Sequence, residues 1–109
     1  STAADALWCG VPVVTCPGPA FAGRVAASLL TAAGMSELVA HSPEDYERLA
    51  LKLARDPALL AATRVKLRAG RESMALFDTA RFTRNLERAY EIMWERNERG
   101  LEPESFAVD

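Results

Sequence analysis

Hydrophobic residues recur at the spacing of α-helices over most of the chain. Their pattern, with the capping residues and prolines that precede it and the glycines that follow it, predicts five helices. Gly10, Gly34 and Gly100 are placed to end three of them. The predicted helices run from about Ala3 to Cys9, Phe21 to Ala33, Pro43 to Arg55, Pro57 to Arg71 and Ala80 to Arg99.

One stretch departs from helical spacing and predicts a buried strand. Val13 to Cys16 follows Pro12 and is apolar and β-branched without alternation, which is typical of a parallel strand covered on both faces. Glu37 to Ala40 is a second, shorter candidate. Pro17-Gly18 closes the first strand at its carboxyl end, where α/β folds place ligands. We therefore expect a mostly helical α/β fragment with one or two short parallel strands.

The polar residues at the start of the first helix are candidate ligands of a phosphate. Ser1 and Thr2 lie where an N-cap belongs, and a helix N-terminus carries unpaired backbone N–H groups that suit an anion. Asp5 follows about one turn later, and its carboxylate can accept hydrogen bonds from sugar hydroxyls. Alternatively, Ser1 and Thr2 only cap the helix and Asp5 only favours its dipole. Spacing alone favours this second interpretation.

Composition restricts the class of protein. The chain has 109 residues, enough for one small domain, and a formal net charge of −2 that predicts neither a nucleic-acid footprint nor an acidic tail. No apolar run approaches the roughly 20 residues of a membrane span, and nothing resembles a signal peptide, so we expect a cytoplasmic protein that binds no membrane. Cys9 and Cys16 match no common zinc or redox spacing. We expect two buried free thiols and no metal site.

Other charged residues admit a functional and a structural interpretation, and the structural one is favoured for each. Arg24 is a candidate diphosphate ligand, or else a solvated or ion-paired arginine. His41 has a pKa range suited to acid–base chemistry, but no partner carboxylate is evident. The fourth helix carries a basic set that predicts a solvated face, because its members are spread around the helix without aromatic residues. That set is Arg64, Lys66, Arg68 and Arg71.

An aromatic stripe marks the last predicted helix. Phe77-Asp78-Thr79 is typical of a hydrophobic staple and N-cap, and Leu101 to Asp109 is predicted to be a tail. Such a stripe is usually core, which can belong to another part of a longer protein, and it would then be exposed in this chain. The stripe consists of Phe82, Leu86, Ala89, Tyr90, Met93 and Trp94.

Several motifs, taken in order, resemble a known family. Ser1 to Gly18 is similar to the donor-binding motif of GT-B nucleotide-sugar glycosyltransferases, in which an acidic residue in a helix is followed by Gly-x-Pro and a hydrophobic strand. Together with three later motifs, it resembles the C-terminal segment of the bacterial-type O-GlcNAc transferases, a family that includes SPINDLY-like proteins. The later motifs are Arg24-Val25-Ala26-Ala27-Ser28, Leu76-Phe77-Asp78-Thr79 and Met93-Trp94-Glu95.

The resemblance implies an organisation for the chain. Residues 1–79 would be the C-terminal portion of a Rossmann-like donor-binding domain, and residues 80–100 a helix that crosses back to an N-terminal catalytic lobe outside this chain. Residues 101–109 would be a tail. Because the chain starts with Ser inside the motif and offers few strands, we expect a fragment of a longer protein that is inactive by itself.

The resemblance also implies an activity and favours donor binding over helix capping alone. The whole enzyme would be an inverting glycosyltransferase that needs no metal or cofactor and moves N-acetylglucosamine from UDP-GlcNAc to Ser or Thr of proteins. Ser1 and Thr2 would contact the β-phosphate and Asp5 the ribose, with Ser1 standing where the family often has Thr. No residue here is a candidate catalytic group, so the general base would lie outside the chain, as would the N-terminal lobe and any helical repeats.

Two alternatives stay open. One is a protein O-fucosyltransferase of the same family that uses GDP-fucose. The other is a non-catalytic helical interaction module whose aromatic helix binds a partner protein. A different α/β nucleotide-binding protein is disfavoured, because neither G-x-G-x-x-G nor the P-loop pattern occurs.

Overall fold

A computed structural model describes residues 1–108, which divide into two compact units. The first unit, Ser1–Phe77, contains four α-helices and two short 3-10 turns, and the second begins at Asp78 and contains one long helix. The five predicted helices are confirmed, with ends that differ by at most one residue. They are α1 (Thr2–Trp8), α2 (Phe21–Ala32), α3 (Pro43–Arg55), α4 (Pro57–Gly70) and α5 (Thr79–Glu98), and the 3-10 turns are Ser36–Leu38 and Ala75–Phe77.

Side-chain caps explain where four of the helices begin. In each case a side-chain oxygen of Ser or Asp accepts a hydrogen bond from the backbone N–H of the residue three positions later. This bond satisfies one of the donors that a helix start leaves unpaired. Pro43 and Pro57 then occupy the first position of α3 and α4, where the missing N–H costs nothing. The capping pairs are Ser1 with Ala4 (3.2 Å), Ser42 with Asp45 (3.0 Å), Asp56 with Leu59 (2.9 Å) and Asp78 with Arg81 (2.9 Å).

Leucine and methionine side chains form the core of the first unit. One fully buried leucine comes from each of α1, α2 and α4, and the 3-10 turn Ser36–Leu38 and the residue before it supply two more buried side chains. On α2, Phe21 is 79% exposed, whereas Leu30 and the residue that follows the helix, Ala33, are buried. Phe21 is the first helical residue, and helical side chains tilt toward the N-terminus, so its ring lies beyond the core. The largest fully buried side chains are Leu7, Leu30, Met35, Leu38 and Leu67.

The predicted strands are wrong, because residues 1–108 contain no strand. Val13 to Cys16 and Glu37 to Ala40 do meet in parallel orientation, but only through a single bridge between Thr15 and Val39. The N–H of Thr15 donates to the carbonyl of Leu38 at 3.2 Å, and its carbonyl accepts from the N–H of Ala40 at 2.7 Å. The bridge cannot extend, because Glu37 and Leu38 are already in a 3-10 turn.

The second unit consists of α5 and the segment that follows it. Arg96 holds that segment, since its guanidinium donates to Oε1 of Glu104 at 2.9 Å and to the carbonyl of Glu102 at 2.6 Å. Most of the aromatic stripe of α5 is exposed, with Phe82 at 64% and Trp94 at 65%. The stripe therefore does not form a core within residues 78–108. No helix in the described part of the chain is long and apolar enough to cross a membrane.

Glycines end three helices in the same way, as the sequence predicts. Gly10, Gly34 and Gly100 have φ angles of 76°, 71° and 67°, the left-handed conformation that costs glycine little. After α1, the N–H of Gly10 donates to the carbonyl of Leu7 at 3.0 Å and that of Val11 to Ala6 at 2.8 Å. This pair of bonds defines a Schellman motif, and the corresponding pair follows α2 and α5.

Gly10 and Gly34 offer a matched pair of substitutions. Gly34→Ala should destabilise the first unit by about 1–2 kcal/mol, the cost of a left-handed backbone at a residue with a Cβ. Gly10→Ala should cost more, because its Cβ would lie 2.8 Å from Cγ of Arg68, whereas nothing lies within 4 Å of a Cβ at Gly34. Urea unfolding followed by circular dichroism measures both, and equal losses would show that Arg68 does not constrain the end of α1.

Candidate functional site

The structure places Ser1, Thr2 and Asp5 together in the first turn of α1, all three exposed. Ser1 has a structural role there, since its Oγ accepts from the N–H of Ala4 at 3.2 Å and its carbonyl from the N–H of Asp5 at 3.1 Å. Ser1 therefore caps α1, whereas Thr2, which the capping interpretation also counted as a cap, is the first helical residue. The N–H groups of Thr2 and Ala3 are left without a helical acceptor.

This first turn offers two kinds of hydrogen-bonding group to a ligand. The free N–H groups of Thr2 and Ala3, with the hydroxyls of Ser1 and Thr2, are donors of the kind that bind phosphate oxygens. The Asp5 carboxylate is an acceptor suited to sugar hydroxyls. The three predicted residues thus lie within one helical turn and offer both kinds of group.

The other end of α1 is fixed by contacts that the sequence does not reveal. Leu7 is buried, and the Trp8 ring packs edge-on against Phe77, with ring centroids 4.9 Å apart and an interplanar angle of 79°. The guanidinium carbon of Arg71 lies 5.0 Å from the centroid of the Trp8 ring. No spacing or capping signal in the sequence assigns a role to Trp8, although it lies one turn after Asp5 on the same helix.

The basic residues of α4 do not form one anion-binding patch. Lys66 pairs with Oε1 of Glu37 at 2.6 Å, the stem of Arg68 lies against Gly10, and Arg71 lies over Trp8. Because these partners differ, the structural interpretation of the set is favoured. The expectation of a wholly solvated face is wrong for Arg71, which is half-buried, because the Trp8 ring covers its guanidinium.

The groove that Arg24 lines and the hydrogen bond that His41 makes involve no residue of α1. Arg24 is exposed on α2, where it lines a shallow groove with Phe21 and Leu29, and it pairs with no carboxylate among residues 1–108. His41 is exposed in the turn before α3, and its backbone N–H donates to Oδ2 of Asp45 at 3.1 Å. Neither the groove nor the hydrogen bond involves Ser1, Thr2 or Asp5.

The two cysteines are free, but the expectation that both are buried is wrong. Cys9 is exposed, because it lies past the last helical residue of α1, and Cys16 is half-buried. Within residues 1–108 no group of three or more His, Cys, Asp or Glu side chains is arranged to hold a metal ion.

Asp45 has a lowered pKa. The hydrogen bond from Arg48 is the main cause of a pKa below the ordinary value of 3.8, and the hydrogen bond from the backbone N–H of His41 adds to it. A carboxyl group with a lower pKa in the folded than in the unfolded chain stabilises the fold above its ordinary pKa. That stabilisation is lost as the pH falls through the lowered pKa.

Asp45→Asn should therefore lower stability at neutral pH and make it less dependent on pH in acid. The difference from the unchanged chain should shrink from about pH 5 down to about pH 2, the range in which such carboxyl groups take up protons. Urea unfolding at a series of pH values measures this. Ser42→Ala is the matched control, since it removes the neighbouring cap at a cost of about 0.5–2 kcal/mol but no titrating group. Parallel pH profiles for the Asp45 variant and the unchanged chain would contradict the prediction.

Comparison with known proteins identifies the family to which the chain belongs. Residues 1–86 match the model of glycosyl transferase family 41. A mutant of the O-GlcNAc transferase of Thermobaculum terrenum has a similar structure, with a TM-score of 0.78 and 47% identity over 85% of this chain and 18% of that one. The fold is thus that of a segment of a glycosyltransferase, and the chain belongs to glycosyl transferase family 41.

Curated relatives agree with this assignment. The chain is 42% identical, over 99% of its length, to a probable UDP-N-acetylglucosamine–peptide N-acetylglucosaminyltransferase, SEC, of Arabidopsis thaliana. It is 43% identical, over 88% of its length, to the probable enzyme of the same kind named SPINDLY in Oryza sativa subsp. japonica. It spans 11% and 10% of those two proteins, respectively.

Proposed function

We propose that this chain is the donor-binding segment of a protein O-glycosyltransferase that transfers N-acetylglucosamine from UDP-GlcNAc to Ser or Thr residues of proteins. The observation that carries the proposal is the family match over residues 1–86, which includes the first turn of α1. The names of the relatives support UDP-GlcNAc as the donor and peptides as acceptors. Residues 1–79 would form the C-terminal portion of the GT-B donor domain.

The first turn of α1 would bind the donor. Negative charge builds on the departing diphosphate during glycosyl transfer, and fixed N–H donors stabilise such charge without reorganisation and without a metal ion. The hydroxyls of Ser1 and Thr2 and the N–H groups of Thr2 and Ala3 would contact the β-phosphate. Asp5 would accept hydrogen bonds from the ribose hydroxyls. The general base, and hence the inverting chemistry, would come from the rest of the parent protein.

The alternatives have less support. The relatives, including SPINDLY of rice, are named for UDP-N-acetylglucosamine, which favours a UDP donor over GDP-fucose. Membership of a glycosyltransferase family favours an enzyme over a non-catalytic interaction module.

Asp5→Ala in the full-length parent should weaken UDP binding by about 1–3 kcal/mol, the cost of losing one hydrogen-bonding partner in a bound complex. Calorimetric titration of UDP and of GDP into both proteins measures the effect. Glu47→Ala is the matched control, since Glu47 is an exposed carboxylate on α3. It should leave UDP affinity unchanged.

Each other outcome of this titration has a distinct meaning. Tighter binding of GDP than of UDP would favour the fucosyltransferase alternative. Binding of neither nucleotide would overturn the donor-site proposal and leave the interaction module. Equal UDP affinity in the parent and the Asp5 variant would exclude Asp5 from the donor site.

We also propose that the exposed aromatic stripe of α5 packs against a part of the parent outside this chain, as the resemblance implies for the N-terminal lobe. Support comes from the size of the exposed apolar surface, since Phe82, Tyr90 and Trp94 are each at least 59% exposed. Surfaces of this kind usually mark an interaction site.

Trp94→Ala tests this proposal in two proteins. In the full-length parent, truncating a buried tryptophan should cost about 3–5 kcal/mol. In the 109-residue chain, where Trp94 is 65% exposed, the same change should stay within about 0.5 kcal/mol. Thermal or urea unfolding measures both, and equal small effects in the two proteins would show that the stripe is solvated in the parent as well.

A further inference from the structure

We propose that Arg71 and Trp8 are positioning residues that hold Asp5 in place for the nucleotide. The inference rests on the proposed donor site and adds two residues that touch no ligand in it. The contact that carries it joins the last turn of α1 to the segment that follows α4, through the Arg71 guanidinium and the Trp8 ring.

Helix α1 needs outside contacts to keep its place. It has seven residues, far fewer than the roughly 12–15 that an isolated helix needs to be even marginally stable in water. Its polar side chains at Ser1, Thr2 and Asp5 are exposed, and its large apolar side chains, Leu7 and Trp8, lie at the other end. The outside contacts include the burial of Leu7 and the packing of Trp8.

Of the two apolar residues that hold α1, Trp8 has the more direct effect on the position of Asp5. The two residues are three apart on one helix, so their side chains are neighbours on the same face. Trp8 is held from two sides, by Phe77 edge-on at 4.9 Å and by Arg71 over its ring at 5.0 Å. Both partners belong to one short segment, since Arg71 follows α4 directly and Phe77 ends the second 3-10 turn.

The surroundings of Arg71 favour a role that depends on the ring. Its Nε atom is buried and has no hydrogen-bond acceptor within residues 1–108, and no carboxylate there pairs with its guanidinium. Partly desolvated guanidinium groups gain more from an aromatic face than exposed ones do. The guanidinium of Arg71 therefore interacts with the Trp8 ring. By holding Trp8, it helps to fix the orientation of α1.

Removing the positive charge of Arg71 should weaken nucleotide binding, because Asp5 would be held less firmly. In the full-length parent, Arg71→Met keeps a long apolar side chain and should raise the dissociation constant of UDP about twofold to fivefold, the fold-change expected for a cation–π contact. Arg71→Lys keeps a cation over the ring and should restore most of the affinity. The KM for UDP-GlcNAc should rise with Arg71→Met while kcat changes little, because a ribose contact is made equally in the ground and transition states.

A double-mutant cycle with Asp5→Ala separates positioning from a general structural effect. If Arg71 acts through Asp5, then Arg71→Met should not weaken UDP binding further in the Asp5→Ala background. An undiminished effect in that background would overturn the inference, as would a lowered melting temperature with unchanged UDP affinity. If Asp5→Ala itself leaves UDP affinity unchanged, the proposed donor site fails, and the inference fails with it.

Trp8→Phe is the second variant, for the case that Arg71→Met does not fold. Phenylalanine keeps an aromatic edge for Phe77 and gives Arg71 a smaller ring, which is a weaker cation–π partner than tryptophan. UDP affinity should fall, again only when Asp5 is present. Unchanged affinity with Trp8→Phe and with Arg71→Met would exclude both residues from positioning the site.

Discussion

The burial of Leu7 is the contact on which the candidate site depends. Helix α1 is too short to persist alone, and it carries Ser1, Thr2 and Asp5 on its exposed side. Leu7 inserts into the same core as Leu30 of α2 and Leu67 of α4. The helix that exposes these polar groups is thus held on its opposite side by apolar contacts, and the direction of the polar groups follows from the packing of three helices.

Local signals made much of the fold predictable. Ser42 followed by Pro43, Asp56 followed by Pro57, and glycine after α1, α2 and α5 act within a few residues, so sequence alone placed the helix ends. The strands were not predictable in this way, because a strand exists only with a neighbour that continues to pair. Val13 to Cys16 has the composition of a strand, but its neighbour turns into a 3-10 helix after one bridge.

The candidate site also has a part that local signals predict and a part that they do not. Ser1, Thr2 and Asp5 lie within one turn, so a capping pattern and a family motif were enough to place them together. The contact of Arg71 with Trp8 joins residues far apart in sequence, and no periodicity within a helix encodes it. The prediction that Arg71 is solvated was wrong for this reason, because within a helix the pattern shows only a basic residue near the end, which is usually a surface residue.

The packing of α1 against residues 67–77 also has a consequence for folding during synthesis. Within the first unit, α1 precedes in the chain the residues that hold it, Leu67, Arg71 and Phe77. Contacts between distant parts of a chain form late, because the loop between them must first close. The turn that carries Ser1, Thr2 and Asp5 is therefore synthesised before its packing partners and reaches its final position only after they have been made.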